Sequence, residues 1–267
     1  MKILRTTFYY LYSIFEMLFG FKNWLLIVKI FLSKNSCTYY TVNVREANLK
    51  FIVRSAMDVW SLKETFLDEF YKRCGTAIEN GWRVIDIGAG FGDFTLYAAL
   101  DRPDTLVYAY EPFPESFAML EENIRNNHIE NVKIFAEAVW SKSEQLILDL
   151  SGGGPLQAPT RDLEMVDEVK TGQYRVPALS LEKVLEQNDL VHLDLLKLDC
   201  EGAEFEILGE KSAKILKRIE RIVMEYHDGY QGHHHRELVE FLHAQGFKVR
   251  ITPNYVHDKI GYLYAWK

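Results

Sequence analysis

A chain of 267 residues, 48% of them hydrophobic, is long enough to bury a full core, and its composition argues against disorder. A formal net charge of −7 gives the surface as a whole no attraction for phosphates, which disfavours nucleic acid as a partner. The three cysteines, Cys37, Cys74 and Cys200, are odd in number, widely spaced and without a C-x-x-C pair, which argues against structural zinc and fits a reducing compartment, the cytoplasm by default.

Residues 1 to 36 carry five basic side chains against Glu16 alone and are the most apolar part of the chain, with Phe8 to Phe15 and Trp24 to Val28 as its densest runs. Glu16, Lys22 and Lys29 interrupt any span, each at about 2.5 to 3.5 kcal/mol at mid-bilayer. No small-residue cleavage site follows the apolar stretch, so a signal peptide does not fit either. Residues 1 to 48 are expected to form a helical extension, with three roles open for 1 to 36. It lies on a membrane surface, covers the domain that follows, or makes a homodimer contact.

Residues 49 to 267 read as one α/β domain. Leu49 to Arg54 has the pattern of a strand and Ser61 to Arg73 that of an amphipathic helix. Strands are then predicted at Arg83 to Ile87, Leu106 to Tyr110, Val132 to Ala136, Asp194 to Leu198 and Arg221 to Glu225. Helices are predicted at Phe91 to Leu100, Glu115 to Asn126, Leu181 to Gln187, Ala203 to Lys217 and His235 to Gln245. Such alternation specifies a mostly parallel sheet with helices on both faces. Gln145 to Leu150 and Tyr174 to Ala178 read as an inserted antiparallel pair, joined by a glycine-rich loop of lid length. Phe247 to Thr252 and Gly261 to Trp266 form a C-terminal antiparallel hairpin, and His233-His234-His235 reads as a solvated helix start.

The first strand ends in Val-Ile-Asp86-Ile-Gly88-Ala-Gly90-Phe-Gly92-Asp93. Glycines after a short β-branched strand let the backbone turn tightly and approach a ligand, and the following helix aims free N–H groups at it. Glu111, at the tip of the second strand, suits the hydroxyls of a ribose. A dinucleotide fingerprint needs a third glycine at position 93, which is Asp; the G-x-G-x-G of Gly88, Gly90 and Gly92 preceded by Asp86 instead resembles motif I of the class I S-adenosylmethionine (SAM) methyltransferases, whose cofactor has no pyrophosphate.

The second half of the site gathers where the fourth and fifth strands end. Leu195-Leu-Lys197-Leu-Asp199-Cys-Glu201-Gly-Ala-Glu204 places three carboxylates at a strand-to-helix junction, with Lys197 on the same side of the strand as Asp199. Glu225 and His227 close the fifth strand. A histidine at this edge is a candidate to take a proton from a hydroxyl. Helix capping is the competing reading for the carboxylates, Glu204 above all.

In the order Val84 to Leu96, Tyr110-Glu-Pro-Phe-Pro, Leu196 to Glu204 and Glu225-Tyr-His, residues 49 to 250 resemble the FkbM-type family of SAM-dependent methyltransferases. The resemblance implies a Rossmann-like, seven-stranded, mostly parallel sheet with helices on both faces and a C-terminal hairpin. It implies cofactor contacts from Asp86, Gly88, Gly90, Gly92 and Glu111, and an adenine slot at Glu137 and Ala138. Asp199 would lie near the methyl-bearing sulfur, with Lys197, Glu201, Glu204 and His227 around the acceptor. The family's usual asparagine in the loop is Gly90 here.

The implied activity is O-methylation of a hydroxyl on a sugar, a glycan or a lipid-linked or natural-product acceptor. Asp199 or His227 is the candidate base, with Lys197 or a divalent cation stabilising the alkoxide, and Glu201, Glu204 and Glu225 serving substrate or metal. An NAD-dependent oxidoreductase and a non-catalytic SAM-binding module are the two rivals.

Overall fold

The structure is a computed structural model that describes residues 2–33, 38–73, 75–149, 173–254 and 256–267. Cys37, Cys74 and the glycine-rich loop expected as a lid lie outside the described residues.

Two helices, α1 (Lys2–Gly20) and α2 (Trp24–Leu32), precede an antiparallel hairpin of β1 (Tyr40–Val44) and β2 (Leu49–Val53). The first of these strands was not expected, and the boundary drawn at residue 48 cuts this hairpin. The single helix expected from Ser61 to Arg73 is instead three pieces. These are α3 (Ala56–Leu62), a π-helical turn over Lys63–Leu67 and α4 (Phe70–Arg73), and Glu69 at φ +47° breaks the last two apart. Single π turns of this kind recur at functional sites.

The main domain continues with β3 (Arg83–Ile87), α5 (Asp93–Ala99), β4 (Leu106–Tyr110), α6 (Pro114–Asn126) and β5 (Val132–Phe135). A small sheet of β6 (Ala138–Trp140), β7 (Glu144–Asp149) and β8 (Gln173–Ser180) follows, and in it β7 and β8 pair antiparallel as expected. Then come α7 (Leu181–Gln187), β9 (Leu193–Leu198), α8 (Glu204–Ile207), β10 (Ile219–His227), α9 (His235–Ala244), β11 (Lys248–Pro253) and β12 (Ile260–Trp266). Beyond α8 the long helix expected to Lys217 gives way, because Gly209 is fully extended and only short 3₁₀ turns follow. His234 caps α9, and His235 bonds Asp228 through Nδ1 at 2.7 Å, so the histidine run does begin a helix.

The large sheet has seven strands in the order β11-β12-β10-β9-β3-β4-β5, with β12 alone antiparallel to its neighbours. Its central strands are apolar on both faces, as parallel strands covered twice must be. Val84, Val107, Leu195 and Val223 pack with Phe94 and Ala98 on one side, while Ile85, Tyr108, Leu196 and Ile222 pack with Leu185, Leu216 and Leu242 on the other. Strand β3 lies between β4 and β9, so the order reverses there and a crevice opens beyond its carboxyl end.

A further core ties the N-terminal elements to this body. Met17, Phe21, Ile27 and Ile30 pack with Val42, Phe51, Leu62 and Phe66, and these reach Phe91, Leu96 and Met119. Polar side chains fix the register. The Asn123 carbonyl accepts from the Ile52 amide at 2.7 Å while its amide donates to the Phe91 carbonyl at 2.9 Å.

Candidate active site

The glycine loop runs from the end of β3 to the start of α5. Gly88 stands at φ +74°, and a Cβ there would come within 1.9 Å of the Asp199 carbonyl oxygen, so the two strand ends touch backbone to backbone. Gly90 is the opposite case. At φ +55° its missing Cβ would meet nothing within 4 Å, leaving an open approach to the loop. Asparagine and glycine both tolerate that conformation, which explains why Gly90 can stand where the resembling family has asparagine.

Beneath the loop lies a buried ion pair. Asp86, fully buried, accepts from the Thr95 hydroxyl at 2.6 Å and faces the Lys197 ammonium at 2.9 Å. Lys197 also donates to the Gly88 carbonyl at 2.8 Å and lies 4.0 Å from Asp199. Burial pulls its pKa down, but Asp86, Asp199 and Asp93 outweigh that and hold the ammonium above the usual lysine range. The expectation that Lys197 would meet the acceptor alkoxide therefore changes. At 2% exposure it is a strut that joins β3, β9 and the loop, and it acts by position.

Asp93, the residue that excludes a third spaced glycine, is buried in the first turn of α5. One of its oxygens accepts from the hydroxyls of Ser61 and Thr65, each at 2.7 Å. These bonds tie the segment of α3 and the π-helical turn to the loop, and between their two donors in sequence lies Glu64, which sequence reasoning missed. Burial pushes Glu64 up to about 7, with Asp199 among the charges acting on it. Its sequence signal was weak: a lone acid beside Leu62 and Phe66.

Glu111 bridges β4 to the loop, accepting from the Gly90 amide at 2.7 Å and the Phe113 amide at 2.9 Å. Burial raises it to about 7, against the pull of those two bonds. A ribose diol would find its acidic partner here, next to the open side of Gly90. Glu137 is half-buried just past β5 and accepts from Gln187 at 3.3 Å, whereas the Ala138 side chain is buried in the main core. Of the two expected adenine contacts, only Glu137 presents a side chain.

The opposing wall is acidic around one histidine. Glu204 is fully buried, and its Oε1 accepts from the Cys200 amide at 3.1 Å and lies 3.0 Å from His227 Nδ1. The other oxygen, Oε2, has no hydrogen-bond partner among the described residues. Glu204 stands in the first turn of α8, as the capping reading expects, and being fully buried it also orients His227, a role that neither the capping nor the substrate reading included. Glu201, held at φ +53°, reaches His227 Nε2 at 3.4 Å. Burial lowers the His227 pKa, but Glu204, Glu201 and Asp199 raise it further, to about 10, so the imidazole carries its proton at neutral pH. Asp199 is about one-third exposed, and burial lifts it above the usual aspartate range despite Lys197 and His227. Glu225 is raised by burial and by Asp199.

A stability prediction follows from these shifts. Glu64, Glu111 and Glu201 are raised to about 7 and His227 to about 10, all above their unfolded values. Their contribution to stability is then full below the unfolded pKa and lost as pH rises through the folded one. The ligand-free protein should melt highest near about pH 5 and fall by several degrees by about pH 9, with the Glu111→Gln variant flattening the acidic part of that slope. A melting temperature that rises over this range would contradict the assignment.

Asp199, Glu201 and His227 each offer one ligand atom, all within 4.8 Å of one another. Two carboxylates and an imidazole backed by Glu204 fit a hard divalent ion, because the buried acceptor on Nδ1 leaves Nε2 to ligate.

The sequence pattern that defines the Methyltransferase FkbM domain matches residues 86–249, more than half of the chain. The chain is 26% identical over 241 residues to the 31-O-demethyl-FK506 methyltransferase FkbM of Streptomyces tacrolimicus, covering 80% of this chain and 87% of that one. It is also 26% identical over 181 residues to Methyltransferase 1 of Beauveria bassiana, covering 62% and 72%. Among solved structures, methyltransferase FkbM from Methylobacillus flagellatus superposes with a TM-score of 0.51 at 10% identity, over 74% of this chain and 46% of that one, a likeness of fold. With the glycine loop, the buried Asp86–Lys197 pair and the acidic wall all falling inside the matched span, the chain belongs to the FkbM-domain family of methyltransferases.

Proposed function

We propose that this chain is a SAM-dependent O-methyltransferase acting on a hydroxyl of a sugar, a glycan or a lipid-linked or natural-product acceptor. The observation that carries the reading is Asp199, raised in pKa and a third open to solvent, at the strand end that abuts Gly88. Oxygen as the acceptor atom is supported by the Streptomyces relative, which is named for a 31-O-demethyl substrate.

The residues present fit the cofactor. Gly90 leaves an open approach, Glu111 stands beside it for the ribose, and Asp86 and Lys197 hold the loop from below. When bound, SAM supplies an electrophilic methyl group that passes to the acceptor oxygen. Transfer of this kind asks the protein for positioning, and deprotonation of the alcohol is the added demand. Asp199 takes that proton, since a carboxylate in a desolvated site is a stronger base than one in water. His227 already holds a proton in the ligand-free state, so it positions and balances charge between Glu201 and Glu204.

Asp199→Asn is expected to lower kcat by about 10² to 10⁴ while SAM affinity, read by calorimetry, stays within a few-fold. Near wild-type turnover would remove Asp199 as base. The same assay covers the ion: activity lost in EDTA and restored by Mg²⁺ would support a divalent cation on Asp199, Glu201 and His227, which would supply Lewis-acid stabilisation of the alkoxide and make Asp199 a ligand in place of the free base. Methyl transfer to no hydroxylated acceptor, with SAM bound, would favour the non-catalytic rival.

A further inference from the structure

The N-terminal helices carry most of the apolar surface that the described residues leave in water. Leu11, Phe15 and Phe19 on α1, and Leu25 and Leu32 on α2, are each 60% exposed or more. Glu16, the one acid of this segment, turns away from that face and lies 3.3 Å from the buried ammonium of Lys63. Lys22 and Lys29 of the same segment are exposed, so the charge that its described side chains present to solvent is basic. Two such faces would repel each other, whereas an anionic surface would attract one. No described helix is long and apolar enough to cross a membrane, and basic residues flanking exposed Trp and Phe suit the interface.

This face opens inward. A cavity of about 530 Å³, within the size range of ligand pockets, lies between α1, α2, α3 and the turn at Asn254. Ile14, Val28, Phe31 and Met57 line it from its exposed side. Trp60 and Glu64 also line it. Glu64 lines this cavity and is within electrostatic reach of Asp199 and Glu225, so the cavity's polar lining residue lies toward the acidic centre.

We propose that this cavity is the tail site for the acceptor: the exposed face of α1 and α2 rests on an anionic bilayer, and a lipid's hydrocarbon chain enters between the helices so that its hydroxylated head reaches Asp199. The proposal rests on the methyltransferase reading of that centre and names its substrate class, a hydroxylated membrane lipid. Burial of the chain against apolar side chains supplies affinity, and Glu64 marks the change from tail to head.

The test uses the full chain and vesicles of phosphatidylcholine and phosphatidylglycerol with brominated chains, which quench tryptophan on contact. The protein should float with the vesicles, and Phe15→Glu with Leu25→Glu should reduce flotation roughly tenfold or more. Quenching should persist in Trp24→Phe and fall when Trp60→Phe is added, because Trp60 then reports the cavity. Ala56→Phe, which fills the cavity, should keep flotation and lose the Trp60 quenching. SAM titration by calorimetry should be unchanged in all these variants. Equal recovery in the soluble fraction with SAM still bound overturns the lipid assignment and leaves the methyltransferase reading in place. Flotation without Trp60 quenching overturns the tail site, and a concentration-dependent dimer abolished by Leu25→Glu gives the face to a second copy. Failure of the wild-type chain to bind SAM overturns the reading beneath it.

Discussion

Gly88→Ala should abolish cofactor binding and strongly destabilise the fold together, whereas Gly90→Ala should abolish binding with a smaller loss of stability. At Gly88 the new methyl group would stand 1.9 Å from the Asp199 carbonyl, a rigid backbone atom in the neighbouring strand end. Overpacking and left-handed strain together cost about 2 to 5 kcal/mol, and relief requires β3 and β9 to part where the crevice begins. At Gly90 only the strain applies, about 1 to 2 kcal/mol, because its Cβ would enter empty space. That space is where a ligand would approach, so the methyl group obstructs binding directly. Thermal denaturation and SAM calorimetry on the two variants separate the effects; equal melting losses would contradict the geometry.

Lys197→Met carries the second large effect. It leaves the Asp86 carboxylate fully buried with the Thr95 hydroxyl as its remaining side-chain hydrogen bond, and it removes the donor to the Gly88 carbonyl. Breaking a buried ion pair from one side costs about 3 to 5 kcal/mol, which in a domain of this size lowers the melting temperature by roughly 10 °C. Asp86→Asn in the same background should recover most of that loss, since no uncompensated charge then remains buried. A double variant as unstable as the single one would show that the pair is not the source. Activity should stay low in both, because the strut that sets Gly88 against Asp199 is gone.

The sheet was largely legible, because short apolar runs in β3, β4, β9 and β10 alternate with helical segments, and that alternation specifies parallel strands. The glycine loop was legible for a similar reason, since Gly88 and Gly90 occupy left-handed conformations that few other residues accept. Side-chain roles were less so. Lys197 and Glu204 sit at the expected strand end, yet burial turns one into a strut and the other into an orienting group, and burial is a tertiary property. The N-terminal half of the site was invisible. Glu64 gains meaning only through Asp93, whose bonds to Ser61 and Thr65 bring a distant segment against the loop. Glu16, read as an interruption of a membrane span, finds its partner in Lys63, 47 residues on.

The most direct test is a calorimetric titration of the wild-type chain with SAM and, separately, with NAD. SAM should bind with one site per chain, and Glu111→Ala should weaken it by about tenfold or more through loss of a charge-assisted hydrogen bond to the ribose. Binding of NAD in preference to SAM, or SAM binding indifferent to Glu111, would contradict the placement of the cofactor on this loop.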